Sequence, residues 1–256
     1  MDRRLIIASY LTATLLLGSC AREAPPAEEP PLLQFWSDLA SIVASPTAFG
    51  PHIRAVVEDA LEAAQNAPTS SSTVARLGML LHAYDKFEGA ARCYERALEL
   101  QPGQSAWLYY LGSVRARLGR HNEALDAFRQ AARIDPSYAP ARLQLADVLL
   151  ATGAVEDSRA LYDALTREHP RLVQAVYGLG RALSELHQDT AAVEQLARAI
   201  ELAPEYGSAH YALGLAYRDL GDEPAARRHV AESERAAGRQ PPVDDPLMRD
   251  VHALRT

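Results

Sequence analysis

The sequence predicts an all-α fold, an α-solenoid of stacked helix–turn–helix units. Three observations carry that prediction. Pro102, Pro136, Pro170 and Pro204 recur every 34 residues. Gly78, Gly112, Ala146, Gly180 and Gly214 recur at the same interval, each preceded by a leucine: Leu77, Leu111, Leu145, Leu179 and Leu213. Apolar residues make up 48% of the chain but aromatic ones only 7%, which suits an Ala/Leu helical array better than a β-sandwich. A period of this length is the sequence signature of a repeat architecture, whose units bury their apolar faces only against one another.

Residues 1–19 read as a signal peptide outside the fold. Arg3 and Arg4 form a basic start, and Leu5 to Leu17 is an uncharged apolar run. The run is shorter than the roughly 20 residues a membrane-spanning helix needs and fits a secretory signal core. Leu17-Gly18-Ser19-Cys20 resembles a bacterial lipobox. That resemblance implies lipidation of Cys20, with acyl chains that hold the protein on a membrane. In a host with two membranes, Ala21 after the cysteine directs the protein to the outer one, facing the periplasm. The alternative is an ordinary secretory signal with a chance cysteine at its end.

Residues 20–31 carry Pro25, Pro26, Pro30 and Pro31 among Glu23, Glu28 and Glu29. Such a stretch builds neither core nor helix and reads as an extended, solvated tether. Residues 32–70 hold two amphipathic stripes, one through Phe35, Trp36 and Leu39, the other through Val57, Leu61 and Ala64. Pro46 and Gly50-Pro51 separate them. Only the second fits the 34-residue frame, so 32–70 reads as a degenerate terminal repeat or cap, with Trp36 as its apolar plug.

Residues 71–240 divide into five units: 71–104, 105–138, 139–172, 173–206 and 207–240. Ala90, Ala124, Ser158, Ala192 and Ala226 recur where two helices cross, and Tyr94, Phe128, Tyr162, Leu196 and Val230 fill an apolar slot of the second helix. Gly119, Gly153 and Gly221 each follow a first helix, where a left-handed residue ends it cheaply. Asp85 and His187 occupy that slot in the other two units, at some cost in stability. This pattern resembles the tetratricopeptide repeat family. The resemblance covers about two-thirds of the chain and implies a right-handed α-solenoid that grips peptides on its concave face. The fifth unit departs from the pattern, with Gly238 for the proline and Ser233 for the late alanine. Residues 241–256 restart after Pro241-Pro242. Asp245 as N-cap, Pro246 at the first helical position and Leu247, Val251 and Leu254 on one face predict a C-terminal capping helix. The alternative for this segment is a partner-binding peptide.

No Walker-type loop, HExxH, CxxC or GxSxG is present, and the eight histidines are scattered. His169 and His210 lack a second His or Cys at ligand spacing. The sequence therefore predicts no enzyme, no cofactor and no metal. The net charge is −7, and loss of the leader removes Asp2, Arg3 and Arg4 to leave the chain slightly more acidic. A nucleic-acid partner, which needs a cationic surface, is excluded. Cys93 is left without a partner if Cys20 is lipidated, and its helical surroundings predict burial.

In the repeat frame the concave positions include Tyr109, Tyr177 and Tyr211, then Asp147, Arg181 and Leu215, then Ser184 and Arg218. Tyr109, Asp147, Tyr177, Arg181, Tyr211 and Arg218 are the candidate partner-binding residues. Tyrosines offer an apolar face and a hydroxyl, and the arginines can pair with carboxylates. The same tyrosines also fit partly buried packing positions and the charges solvated ones, and the sequence leaves both readings open. The Lys and Asn by which the family's carboxylate clamp holds chaperone tails are missing here. The expected function is a lipid-anchored interaction scaffold of the bacterial cell envelope, binding a protein or peptide segment. The alternative is an accessory protein of an envelope redox, transport, or secretion and pilus assembly system.

Overall fold

Each unit of the 34-residue frame is one helical hairpin in the computed structural model, which describes residues 31–45, 48–236 and 238–255. The predicted leader, the predicted lipidation site Cys20 and the predicted tether up to Pro30 lie outside the described residues. Thirteen helices and no strand occur among the described residues. The hairpins are α3 (Ser71–Ala83) with α4 (Phe87–Leu100), α5 (Ser105–Arg117) with α6 (His121–Ile134), and α7 (Ala139–Ala151) with α8 (Val155–Glu168). The last two are α9 (Val173–Glu185) with α10 (Asp189–Leu202) and α11 (Gly207–Asp219) with α12 (Glu223–Arg235). The four recurring prolines fall in the turns between hairpins, because proline lacks the donor a continuing helix needs.

Inside each hairpin a small residue of the first helix faces a large one of the second. A Cβ on Gly112 would lie 2.7 Å from the Phe128 ring, and one on Gly180 would lie 2.6 Å from Leu196. Tyr94, Phe128, Tyr162 and Leu196 are fully buried in these slots. At roughly 1.5–3 kcal/mol for each large apolar side chain removed from water, they are the principal anchors of the stack. Ser158 is buried at one crossing, and its hydroxyl donates to the Ala146 carbonyl at 2.8 Å, so no polar atom is stranded.

First helices of neighbouring units touch one another, α3 with α5, α5 with α7, α7 with α9 and α9 with α11, and each second helix packs on the next first helix. The first helices therefore line one continuous wall. The turns that end them are left-handed throughout. Gly119, Gly153 and Gly221 have φ of 75°, 82° and 82°, and Asp85 and His187 take the same conformation with φ of 59° and 56°.

The stretch before the repeats folds as α1 (Pro31–Ala44) and α2 (Pro51–Asn66). Helix α2 meets α3 as a second helix would, but α1 packs on α2 and α4. Asp38 and Arg92 form an ion pair at 2.5 Å across that contact. Phe35 and Trp36 are buried edge-to-face with centroids 4.6 Å apart. Cys93 is fully buried within α4, and its thiol, raised by desolvation, has no disulfide partner among the described residues.

The segment after α12 corrects one expectation. A helix forms where predicted, α13 (Pro246–His252), with Asp245 accepting from the Met248 N–H at 3.0 Å. It does not cap α12. It packs on α3, at the opposite end of the array. The physical reason lies in its apolar stripe. Val251 is fully buried, and Leu247, Met248 and Leu254 pack on the core of the first three units.

Gly178 gives a test of the packing. A Cβ there would penetrate the ring of Tyr162. That ring cannot retreat, because it is fully buried and its hydroxyl donates to Asp147 at 2.5 Å. Gly178→Ala gains up to about 1 kcal/mol of helix propensity and loses about 1–3 kcal/mol by overpacking. The expected result is a lowered urea midpoint; an unchanged or raised one would refute this contact.

Candidate partner-binding groove

The wall of first helices carries the predicted site residues, but not as one stripe. The segment 241–255 crosses the wall and divides it. Gln174, near the start of α9, donates to the Pro241 carbonyl at 2.7 Å. Asp245 then lies between α5 and α7, and its two carboxylate oxygens accept from the hydroxyls of Tyr109 on α5 and of Tyr138 at the head of α7. Tyr110 donates to the Leu247 carbonyl at 3.3 Å, and Tyr84 donates to the Leu254 carbonyl at 3.0 Å. Arg255 ends the path on α3, donating to the Ala83 carbonyl and pairing with Asp85 at 3.0 Å. The segment thus runs from the fourth unit back to the first, opposite to the order of the repeats.

Tyr109 is therefore not a free contact residue. It is 1% exposed, its ring meets Tyr138 edge-to-face at 5.3 Å, and its hydroxyl is engaged by Asp245. Burial and the Asp245 carboxylate push the Tyr109 hydroxyl's pKa far up, and burial with the same carboxylate does so for Tyr138. Both hydroxyls thus remain donors. Tyr84, Tyr110 and Tyr138 were not among the predicted site residues. Asp245 was readable as an N-cap, but its two tyrosine donors lie 136 and 107 residues away in sequence.

Three predicted residues do gather where α7 faces α9. Tyr177 is half-buried against Tyr206, with ring centroids 4.8 Å apart, and the Arg181 guanidinium lies 5.6 Å over the Tyr177 ring. Asp147 faces the same space. Burial pushes its carboxyl up, while the hydrogen bond from Tyr162 and the charge of Arg181 pull it down. Arg181 itself is exposed. Tyr211 and Arg218 stand apart on α11. Tyr211 is 52% exposed, and Arg218 contacts only its neighbour Asp219 by ion pairing, at 3.3 Å, among the described residues. Beside Arg218, a cavity of about 330 Å³ opens between α11 and α12, walled by Leu215, Ala226 and Val230.

His210 does find a second histidine, although none was legible at ligand spacing. Its Nδ1 lies 3.1 Å from that of His229, and its Nε2 lies 3.0 Å from the Pro204 carbonyl. No group of three His, Cys, Asp or Glu side chains suited to a metal ion occurs among the described residues.

Between the crossing segment and the wall of the first three units lies a cavity of about 540 Å³, lined among others by His82, Arg117, Ser113, His252 and Arg255. His82 is 5% exposed, its Nδ1 lies 3.4 Å from the Tyr94 hydroxyl, and the ring meets Phe87 and Tyr110 edge-on. Burial, helped by the charges of His252, Arg117 and Arg255 and opposed by Asp85, holds its pKa down to about 4. Between that value and the free value of about 6.5 the unfolded chain binds a proton that the folded chain does not. Stability is therefore lost as pH falls through this window. The expected loss from this group between pH 7 and pH 4.5 is about 2 kcal/mol. His82→Gln should flatten the pH dependence of the unfolding free energy measured in urea by that amount; an identical slope in the two proteins would contradict it.

Comparison with known proteins supports the same fold. Tetratricopeptide repeat profiles match residues 77–139 and 190–241, 115–183, and 173–206, together more than half of the chain. A tetratricopeptide repeat and J domain-containing co-chaperone of Cryptococcus neoformans is 37% identical over 86 residues, covering 34% of this chain and 16% of the relative. A peroxisomal targeting signal receptor of Candida albicans is 29% identical over 149 residues, covering 56% of this chain and 24% of the receptor. The chain thus spans a quarter or less of those relatives. Among solved structures, MamA residues 41-end from Desulfovibrio magneticus superposes with a TM-score of 0.61 at 23% identity, covering 66% of this chain and 97% of that one. YrrB, described as a TPR protein with an unusual peptide-binding site, superposes with a TM-score of 0.60 at 19% identity, covering 77% and 99%. With five helical hairpins in register and the profiles spanning them, the chain belongs to the tetratricopeptide repeat family, whose domains bind protein or peptide partners.

Proposed function

We propose that this chain is a lipid-anchored interaction scaffold of the bacterial cell envelope, and that it holds a peptide segment of another envelope protein against the inner wall of its last three units. The observation that carries the binding part is the surface left open beside the crossing segment. There Tyr177 and Arg181 form a stacked aromatic–cation pair, and Tyr211 stands exposed on the next first helix. An aromatic face beside a guanidinium suits a segment with an apolar side chain followed by a carboxylate. Asp147, behind Arg181, limits how much negative charge the site takes. The anchoring part rests on Leu17-Gly18-Ser19-Cys20 and on the Pro/Glu-rich tether that follows. The tether would hold the folded repeats away from the bilayer, free to meet a partner.

The two parts are tested separately. In cells given labelled palmitate, Cys20→Ser should leave the chain unlabelled and released from membranes; label retained in that variant would overturn the anchor. For the groove, partners crosslinked in native membranes are compared between the wild-type chain and Tyr177→Ala/Tyr211→Ala. Truncating two aromatic contacts typically costs about 1–2 kcal/mol each, so recovery of the partner should fall about tenfold or more. Undiminished recovery, with an unchanged melting point, would move the site elsewhere.

A further inference from the structure

The crossing segment is bound to the wall as a ligand is bound. We propose that the inner face of the first two units is a recognition site for a short helix headed by Asp-Pro, that residues 245–255 of this chain fill it, and that a partner segment of the same chemistry enters by displacing them. This rests on the reading of the inner wall as the binding face and adds what that face selects and how access to it is regulated.

The recognition chemistry is specific. The Asp245 carboxylate accepts from two tyrosine hydroxyls of the wall while also capping α13 through the Met248 N–H. An Asn could not accept at both oxygens, and a Glu could not cap the helix from the same backbone position. Two residues on, at Leu247, apolar selection begins. Val251 is fully buried, and Leu247 and Leu254 lie one helical turn to either side. At the far end Arg255 pairs with Asp85. The pattern read by the wall is an acidic cap, an apolar stripe and a terminal cation.

The same contacts are arranged for exchange. The seven-residue α13 is too short to hold itself in water, so its order comes from the wall. Residues 238–244 before it form no helix, and all but Pro241 are exposed. The five hairpins pack on one another through contacts that do not include α13, which lies closest to α3 and is held to α5 through Tyr110. Release of the segment would uncover Tyr109 and Tyr110 without opening a hairpin.

The test uses the full chain and a fluorescent peptide of residues 240–255. In the variant Asp245→Ala/Val251→Asp the built-in segment loses its cap and places a charge in its buried position. Anisotropy should show this variant binding the peptide about tenfold or more tightly than the wild-type chain, whose site is filled. Adding Tyr109→Phe and Tyr138→Phe should remove most of that gain, as should a peptide with Asp245→Asn. Equal binding by variant and wild type, with unchanged circular dichroism, would overturn the proposal, as would binding indifferent to the two hydroxyls. Should the variant unfold, hydrogen exchange on the wild-type chain decides. Residues 246–252 should exchange faster than α3 to α12, and faster still with excess peptide; protection equal to that of the hairpins would overturn displacement. Peptide binding does not involve the envelope partner. A failed crosslinking experiment with intact peptide binding would refute only the proposed function.

Discussion

The close approach of two helices inside each hairpin is the constraint on which the whole array depends. A first helix can lie against its partner only where its crossing residue has little or no side chain, and the space so released is filled by one large residue from the other side. Gly112 with Phe128 and Gly180 with Leu196 are two instances of one lock. The lock fixes the angle of each hairpin, and the repeated angle sets how the next hairpin is laid down. The continuous wall of first helices, and hence every candidate binding residue, follows from it.

Much of this was legible because it is local. The prolines, the glycines that end first helices and the small crossing residues act within one unit, and the 34-residue period repeats the message. Even the substitution of Asp85 and His187 into the left-handed slot could be read, and both residues hold positive φ. The path of the segment after α12 was not legible. Its helix and cap are written in Asp245-Pro246 and in the spacing of Leu247, Val251 and Leu254. Its docking site is written in tyrosines more than a hundred residues upstream, which look like any aromatic packing residue. Both readings of the inner tyrosines turn out to hold at different places: Tyr109 is packed and hydrogen-bonded, and Tyr211 is open. Periodicity places a residue on a face but does not say what already covers that face.

The two halves of the wall consequently offer different chemistry. Toward the first units a pair of covered hydroxyls is engaged by a carboxylate from within the chain, over a floor of buried rings. Toward the last units an arginine over a tyrosine and a free-standing tyrosine face solvent. Asp147 joins the core to that open half, since its carboxylate is tied to Tyr162 beneath and lies near Arg181 above. A change at Asp147 would therefore be felt both in packing and on the binding surface.

The left-handed turns at Asp85 and His187 have unequal worth. Both hold a backbone shape that a side chain resists by about 1 kcal/mol. At Asp85 the strained residue returns something, because its carboxylate receives Arg255. His187 is exposed, and its side chain has no hydrogen bond or ion pair among the described residues. The elbow between α9 and α10 is thus the uncompensated one, kept in shape by the hairpin packed behind it and by no contact of its own side chain.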